Sequence, residues 1–221
     1  MPDDRPILAL LHTHKGHPAA FDAIAARVAP GLRLAHVVRP GLLERATAEG
    51  RVSPSLAAEV AAEVRAAAAD AGAGAVLCTC STIGAAAEAA DAGVPVIRVD
   101  RPMAAAAVKA GRRILVVACL ATAAEPALDL IEEEARRAGT AVQTRVELFA
   151  GAWAHFLDGD TQRYLRAVAD GTMLVRRDAD VVVLAQASMA GAAALLQDLP
   201  VPVLSSPAAG LAAAASLLGR G

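Results

Sequence analysis

The stretch of this chain with the clearest capacity for chemistry is Leu77-Cys78-Thr79-Cys80-Ser81-Thr82-Ile83-Gly84. Cys80 follows the apolar run Ala75-Val76-Leu77, which reads as a buried strand, and precedes the alanine-rich stretch 85–90, which reads as a helix. The thiol thus falls at the carboxyl end of a strand, with Ser81 or Thr82 placed to cap the helix. In an open α/β sheet that edge is where ligands bind. The positive end of a helix also favours thiolate over thiol, which makes a cysteine a usable base or nucleophile. The plain alternative is that Cys80 is a small buried apolar residue, as most free cysteines are. Cys78, two residues back on the same side of the strand, reads as core.

Three further loops carry chemistry. After the apolar run 7–11 come His12, Thr13, His14 and, three residues on, His17. Clustered histidines are candidates for acid–base work near neutral pH. After Val117 come Cys119, Leu120, Ala121 and Thr122. Thr122-Ala123-Ala124-Glu125 reads as a capping box with Pro126 just inside the helix. After Leu184 come Gln186, Ala187 and Ser188. Ser81 and Ser188 read as helix N-caps whose neighbouring backbone N–H groups are suited to a carboxylate or a developing enolate. Each such oriented donor is worth about 2.7–4 kcal/mol where removal is costly.

The elements that must position these loops alternate in type. Residues 7–11, 34–38, 75–77 and 93–99 read as strands; 19–28 and 54–71 read as helices, the latter ended by Gly72-Ala73-Gly74. Strands alternating with helices argue for a parallel sheet with crossover helices. With 221 residues, 56% hydrophobic and much of that alanine, the chain has ample core for one domain or two small lobes. A net charge of -2 and 2% aromatic residues give no footprint for nucleic acid. No apolar run reaches the ~18 residues of a spanning helix, so no membrane partner is expected. Met1-Pro2-Asp3-Asp4-Arg5-Pro6 is unlike a signal peptide, and three cysteines fit a reduced, cytoplasmic setting.

The second half repeats the first. Ile114-Leu115-Val116-Val117 lies 107 positions after Ile7-Leu8-Ala9-Leu10, and in that gapless register Asp129 falls on Asp22, Ser188 on Ser81, Gly191 on Gly84 and Pro202 on Pro95. His12 then lies opposite Cys119, and Cys80 opposite Ala187 with Gln186 one step earlier. This predicts an α/β protein of two pseudo-symmetric flavodoxin-like lobes with parallel sheets and an active-site cleft between them. The lobes are 1–102 and 103–206, joined by a hinge near 98–111, with a tail helix 207–221 packing back on the first lobe. Phe149, Trp153, Phe156 and Tyr164 read as second-lobe core or a subunit contact. The alanine-rich helix 54–71 is suited to packing against a second copy, as in a homo-oligomer.

Cys80-Ser81-Thr82 in the first of two such lobes, with Leu184-Ala185-Gln186-Ala187-Ser188 at the matching turn of the second, resembles the aspartate/glutamate (Asp/Glu/hydantoin) racemase superfamily. The resemblance covers nearly the whole chain in length and strand order. It implies a cytoplasmic, cofactor-independent racemase, isomerase or lyase acting at the carbon next to the carboxylate of a small acid or amino acid. Cys80 matches the first of the superfamily's two catalytic cysteines. His12, Thr13, Ser81, Thr82, Thr122, Gln186, Ala187 and Ser188 are the implied substrate-binding positions. The second cysteine is absent, since Gln186 and Ala187 are neither acids nor bases. His14 and Cys119 stand as further acid–base candidates, and one-sided chemistry by a single thiol remains open. Two other readings compete: a non-catalytic small-carboxylate-binding protein, and a metal-dependent hydrolase using His12, Cys80 and Cys119.

Overall fold

The computed structural model describes residues 5–219. The acidic lead-in 1–4 and the last two residues of the expected tail helix, Arg220 and Gly221, lie outside the described residues. The chain forms two compact units: one runs to Val99 and resumes at Pro207, and the other is Asp100–Ser206.

In the first unit the elements are β1 (Ile7–His12), α1 (His17–Val28), β2 (Arg33–Val38), α2 (Pro40–Glu49), α3 (Pro54–Ala71), β3 (Ala75–Cys78), α4 (Ser81–Glu88) and β4 (Val96–Arg98). The second contains α5 (Arg101–Ala110), β5 (Arg113–Ala118), α6 (Ala121–Arg137), β6 (Gln143–Leu148), α7 (Ala150–Leu157), α8 (Thr161–Val175), β7 (Val181–Leu184), a 3-10 turn at Ala187–Met189, α9 (Ala192–Leu195) and β8 (Val203–Ser205). From β8 the chain enters α10 (Ser206–Leu218), which packs in the first unit. Each unit holds a four-stranded parallel sheet, ordered β2-β1-β3-β4 and β6-β5-β7-β8. This is the flavodoxin-type order.

The sheets are covered on both faces, which is why their central strands are unbroken apolar runs. Along β1 the side chains alternate between two cores. Ala9 and Leu11 pack with Leu56, Val60 and Val64 of α3. Leu8 and Leu10 pack with Phe21 and Ala25 of α1 and with Leu211 and Ala214 of α10. The second sheet is sandwiched the same way. Met103, Ala104, Leu130 and Ile131 lie on one face; Tyr164, Val168 and Met189 lie on the other. Phe149, Trp153 and Phe156 join that second face, with Trp153 stacked on Phe156 at 4.7 Å.

Local chemistry explains several boundaries. Ser53 caps α3 by accepting from the Leu56 N–H, Pro54 occupies the first turn, and Gly72 ends the helix in the left-handed region at φ 58°. Arg39-Pro40-Gly41, which closes β2, also opens α2. Pro40 is that helix's first residue, and Leu42 and Ala46 are buried beneath it. A proline at a first helical position costs no hydrogen bond, so it starts a helix as readily as it ends a strand. The segment 98–111, expected as a hinge, is mostly helix α5, whose Met103, Ala104, Ala107 and Val108 belong to the second unit's core.

The repeat is real in topology, but its register differs from the gapless one. Ile114 pairs with Val181 as Leu8 pairs with Ala75, an offset of 106 (114 − 8 and 181 − 75). The loop bonds repeat at the same spacing: Thr79 N–H to Leu11 O at 3.0 Å, Ala185 N–H to Val117 O at 2.9 Å. At the last strands the offset becomes 107, with Val96 matched by Val203. One extra residue is therefore absorbed after β7, where a 3-10 turn and the short α9 replace a regular helix. The shared Gly and Pro positions lie beyond that insertion, and alanine-rich strands tolerate a one-residue slip. In the strand register His12 matches Ala118, Thr13 matches Cys119, Cys80 matches Gln186, and Ser188 matches Thr82.

Gly210 marks where α10 meets β4. A Cβ there would lie 2.4 Å from the Val99 carbonyl oxygen and 2.9 Å from its Cα, both backbone atoms that cannot swing aside. Gly210→Ala is expected to cost about 1–3 kcal/mol through displacement of α10. Urea unfolding of the variant beside the wild type measures this, and an unchanged midpoint would contradict it.

Candidate functional site

In the first unit the candidate residues collect at the carboxyl edge of the sheet. β1 delivers His12 and Thr13, both buried, followed by the half-buried His14. β3 delivers Thr79, Cys80, Ser81 and Thr82, all buried. Cys80 is itself the N-cap residue of α4, extended at φ -112° and ψ 117°, and Ser81 is the first helical residue. The expected Ser81 cap is thus corrected by one position. The cause is the tight strand-to-helix turn, which leaves no room for a residue between Cys80 and the helix. Among the three cysteines Cys80 is the most accessible, at 8%, against 0% for Cys78 and 1% for Cys119.

Behind this turn runs a chain of hydrogen-bonded side chains. Asp22 Oδ1 lies 3.1 Å from His36 Nε2, His36 Nδ1 lies 2.8 Å from His12 Nε2, and His12 Nδ1 lies 2.8 Å from Thr79 Oγ1. The Thr79 hydroxyl also lies 3.2 Å from the Leu11 carbonyl, which it can only reach by donating. The parallel register produces the arrangement. His36 pairs with Leu10, two residues before His12, so both imidazoles emerge on one face of adjacent strands and stack 5.1 Å apart. Sequence reading missed His36 and Asp22. Their signal was a lone histidine in an otherwise apolar strand, which becomes meaningful only once β2 is laid beside β1.

Electrostatics keep this cluster uncharged at its centre. Burial, reinforced by the neighbouring His17 and His36, pushes the His12 pKa down from 6.5 to about 3. Burial and His14 push His17 down to about 4, and burial lowers His14 as well. Both ring nitrogens of His17 are buried without a hydrogen-bond partner. Arg98, also missed, ends β4 at the same edge and is buried; Gly84 of α4 lies beside it, since a Cβ there would come within 3.0 Å of its Nε.

At the carboxyl edge of the second sheet the chemistry differs. Gln186 takes the place of Cys80, as N-cap of the 3-10 turn with a nearly identical backbone, φ -113° and ψ 139°. Its Oε1 accepts from the Cys119 N–H at 2.6 Å, so its amide nitrogen carries the remaining donors. Ser188, expected as an N-cap, lies inside that turn and is hydrogen-bonded to the Tyr164 hydroxyl at 2.9 Å; Ala187 opens the turn. Tyr164 is the residue sequence reading assigned only to packing. It also bonds the Cys119 thiol, and burial outweighs that bond and pushes Cys119 up to about 11. Cys119 is a buried, protonated thiol near neutral pH, which does not suit the base role considered for it. Thr122 does not cap α6 either. Leu120 is the N-cap, Thr122 lies one residue inside, its hydroxyl is buried and unpartnered, and Pro126 sits within the helix. The helix starts early because β5 ends at Ala118, leaving two residues for the turn.

The sequence profile for "Asp/Glu/Hydantoin racemase" matches residues 18–214. The chain belongs to the Asp/Glu/Hydantoin racemase family. Among 50 matching solved chains, an aspartate racemase from Picrophilus torridus superposes with a TM-score of 0.73 at 13% identity, covering 97% of this chain and 93% of that one. A glutamate racemase from Bacillus anthracis gives 0.66 at 18% identity, covering 98% and 83%. An allantoin racemase from Pseudomonas fluorescens gives 0.60 at 18% identity, covering 96% and 91%. At these identities the likeness is one of fold. No curated protein sequence matches. Membership of the family supports an enzyme of the racemase kind.

The metal-dependent alternative fares worse. Among the described residues no group of three His, Cys, Asp or Glu side chains is gathered to hold a metal ion. The reason is visible in the proposed ligands: both His12 nitrogens are engaged by Thr79 and His36, and Cys119 holds its proton. Among the described residues no helix is long and apolar enough to cross a membrane.

Proposed function

We propose that this protein is a cofactor-independent enzyme that moves the proton on the carbon next to a carboxylate of a small acid or amino acid, with Cys80 as its working acid–base group. The observation that carries the reading is the placement of Cys80. It is the most accessible of the three thiols and sits at the strand-to-helix turn of the sheet's carboxyl edge, within a racemase-family chain. Ser81 and Thr82, with Thr13 on the adjacent loop, are the proposed anchors for the acid. Gln186, at the position of the second unit equivalent to Cys80, is an amide where the superfamily's second thiol is expected. The three free cysteines support a reducing, cytoplasmic setting.

The loss of the second thiol favours one-sided chemistry over two-base racemisation, because an amide neither gives nor takes a proton near neutral pH. The test is incubation of the purified protein in D2O with L- and D-aspartate, L- and D-glutamate, allantoin and a set of substituted malonates, followed by proton NMR. Deuterium entering with retained configuration supports a single base. Deuterium entering with inversion restores the two-base racemase, and loss of carbon dioxide from a malonate identifies a decarboxylase. A ligand that raises the melting temperature while no compound exchanges or reacts would replace the enzyme by a binding protein.

A further inference from the structure

In the chain of side chains behind Cys80 the Thr79 hydroxyl has one hydrogen and two directions to point it, and that choice gives the outer members of the chain a task. The Thr79 hydroxyl carries a single hydrogen but has two acceptors within reach, His12 Nδ1 at 2.8 Å and the Leu11 carbonyl at 3.2 Å. Which one it serves depends on the tautomer of His12. If His12 carries its proton on Nε2, Nδ1 is a lone pair and the threonine donates to it. With the proton on Nδ1, His12 donates to Thr79 and the threonine must turn to Leu11. A histidine's tautomer is set by what its other nitrogen meets. For His12 that is His36 Nδ1, and His36 in turn meets Asp22 through Nε2. A carboxylate only accepts, so Nε2 of His36 carries hydrogen, and a singly protonated ring then leaves Nδ1 as an acceptor.

We propose that Asp22 and His36 are positioning residues that hold His12 in its Nε2–H tautomer, turning the Thr79 hydroxyl toward His12 and so fixing the turn that presents Cys80. The sequence of donors runs one way: Thr79 O–H to His12 Nδ1, His12 Nε2–H to His36 Nδ1, His36 Nε2–H to the Asp22 carboxylate. With His36 neutral, each link follows from the one before it, beginning at the Asp22 carboxylate, which can only accept. Thr79 is also tied through its N–H to the Leu11 carbonyl at 3.0 Å. The residue preceding the cysteine is thus anchored to β1 by backbone and side chain together. The arrangement has geometric support at both ends. The Asp22 side chain is 62% exposed and His36 19%, whereas His12 and Thr79 are buried at 0% and 1%. The more accessible pair therefore determines the hydrogen-bonding state of the buried pair, and none of the four need touch a substrate. The functional consequence rests on the Cys80 reading above; the tautomer and its effect on the turn do not.

Imidazole 15N NMR reads the tautomer directly. In the wild-type protein His12 is expected to show a protonated Nε2 and a bare Nδ1. In His36→Phe the assignment is expected to reverse, and amide exchange at Thr79 to quicken by about two- to fivefold, less than the worth of a whole hydrogen bond, because the threonine hydroxyl then shares the Leu11 carbonyl with the Thr79 N–H. His36→Asn, whose amide oxygen can stand where His36 has Nδ1, is expected to restore the wild-type pattern. Asp22→Ala lies at an exposed position that does not endanger folding, and it is expected to give a mixture of the two His12 tautomers. An unchanged His12 tautomer in either folded variant would overturn the proposal. So would a reversal that leaves the Thr79 amide exchanging as before. Neither measurement needs a substrate, so a Cys80→Ser protein that keeps full turnover would remove the proposed function while leaving this inference standing.

Discussion

Replacing Cys80 by Ala is expected to lower α-proton exchange by about 10²–10⁴-fold, the usual contribution of a positioned general acid or base, while the protein remains folded. The argument for selectivity lies in the contrast between thiols. Cys78 is enclosed in the core between the sheet and α3. Cys119 is 1% exposed, hydrogen-bonded to Tyr164 and held protonated with a pKa of about 11. Cys119→Ala is therefore expected to leave exchange within about tenfold of wild type, and any loss there reflects packing around Tyr164 rather than chemistry. Cys80 contributes one sulfur to the first unit's core cluster, so its removal is expected to cost only about 1 kcal/mol of stability. Exchange in D2O and thermal unfolding, run on both variants, separate the two roles. If Cys80→Ala retains exchange and Cys119→Ala loses it, the assignment of the acid–base group is reversed.

Acid is expected to destabilise the first unit steeply between about pH 6.5 and pH 3. His12 has its pKa pushed down to about 3, by burial first and then by His17 and His36; His17 is pushed down to about 4, by burial and then His14. A histidine with a depressed folded pKa binds fewer protons in the native state than in the unfolded chain. Its contribution is present in full above the unfolded value of about 6.5 and is lost as the pH falls toward the folded one. Denaturant unfolding at pH 7.5 and at pH 4.5 should differ by an amount on the order of a few kcal/mol from this pair. His17 offers the cleaner test. Neither of its ring nitrogens has a partner, so His17→Leu leaves no orphaned hydrogen bond behind. The variant is expected to match the wild type at neutral pH and to lose part of the acid sensitivity. Equal slopes against pH for the two proteins would show that His17 is not protonated against a penalty.

The surroundings of His12 also show what three histidines within six positions can do besides proton chemistry. Clustered imidazoles near a strand end invite an acid–base or metal-ligand reading. In the fold the central imidazole is buried, neutral and bonded at both nitrogens, and its role passes to the turn beside it. The partners responsible lie on the next two elements of the chain, Asp22 in α1 and His36 in β2.

What the sequence by itself determined is what short-range chemistry controls. Buried parallel strands must be apolar runs, so the positions of β1, β3, β5 and β7 were legible. Ser53-Pro54 and Gly72 bound α3 through capping and left-handed geometry that need no distant partner. Cys80 at a strand-to-helix turn followed from the same local pattern, as did the duplication of the whole plan. What only the tertiary structure decided depends on hydrogen bonds between strands far apart in the chain. The repeat is offset by 106 across the central strands and by 107 at the last, because an extra residue can be stored in the turn after β7 without disturbing a ladder. That single step moves Gln186, not Ala187, into the place equivalent to Cys80. Burial decided the rest, since whether a thiol or imidazole can ionise depends on what is packed around it, and composition along the chain carries no record of that.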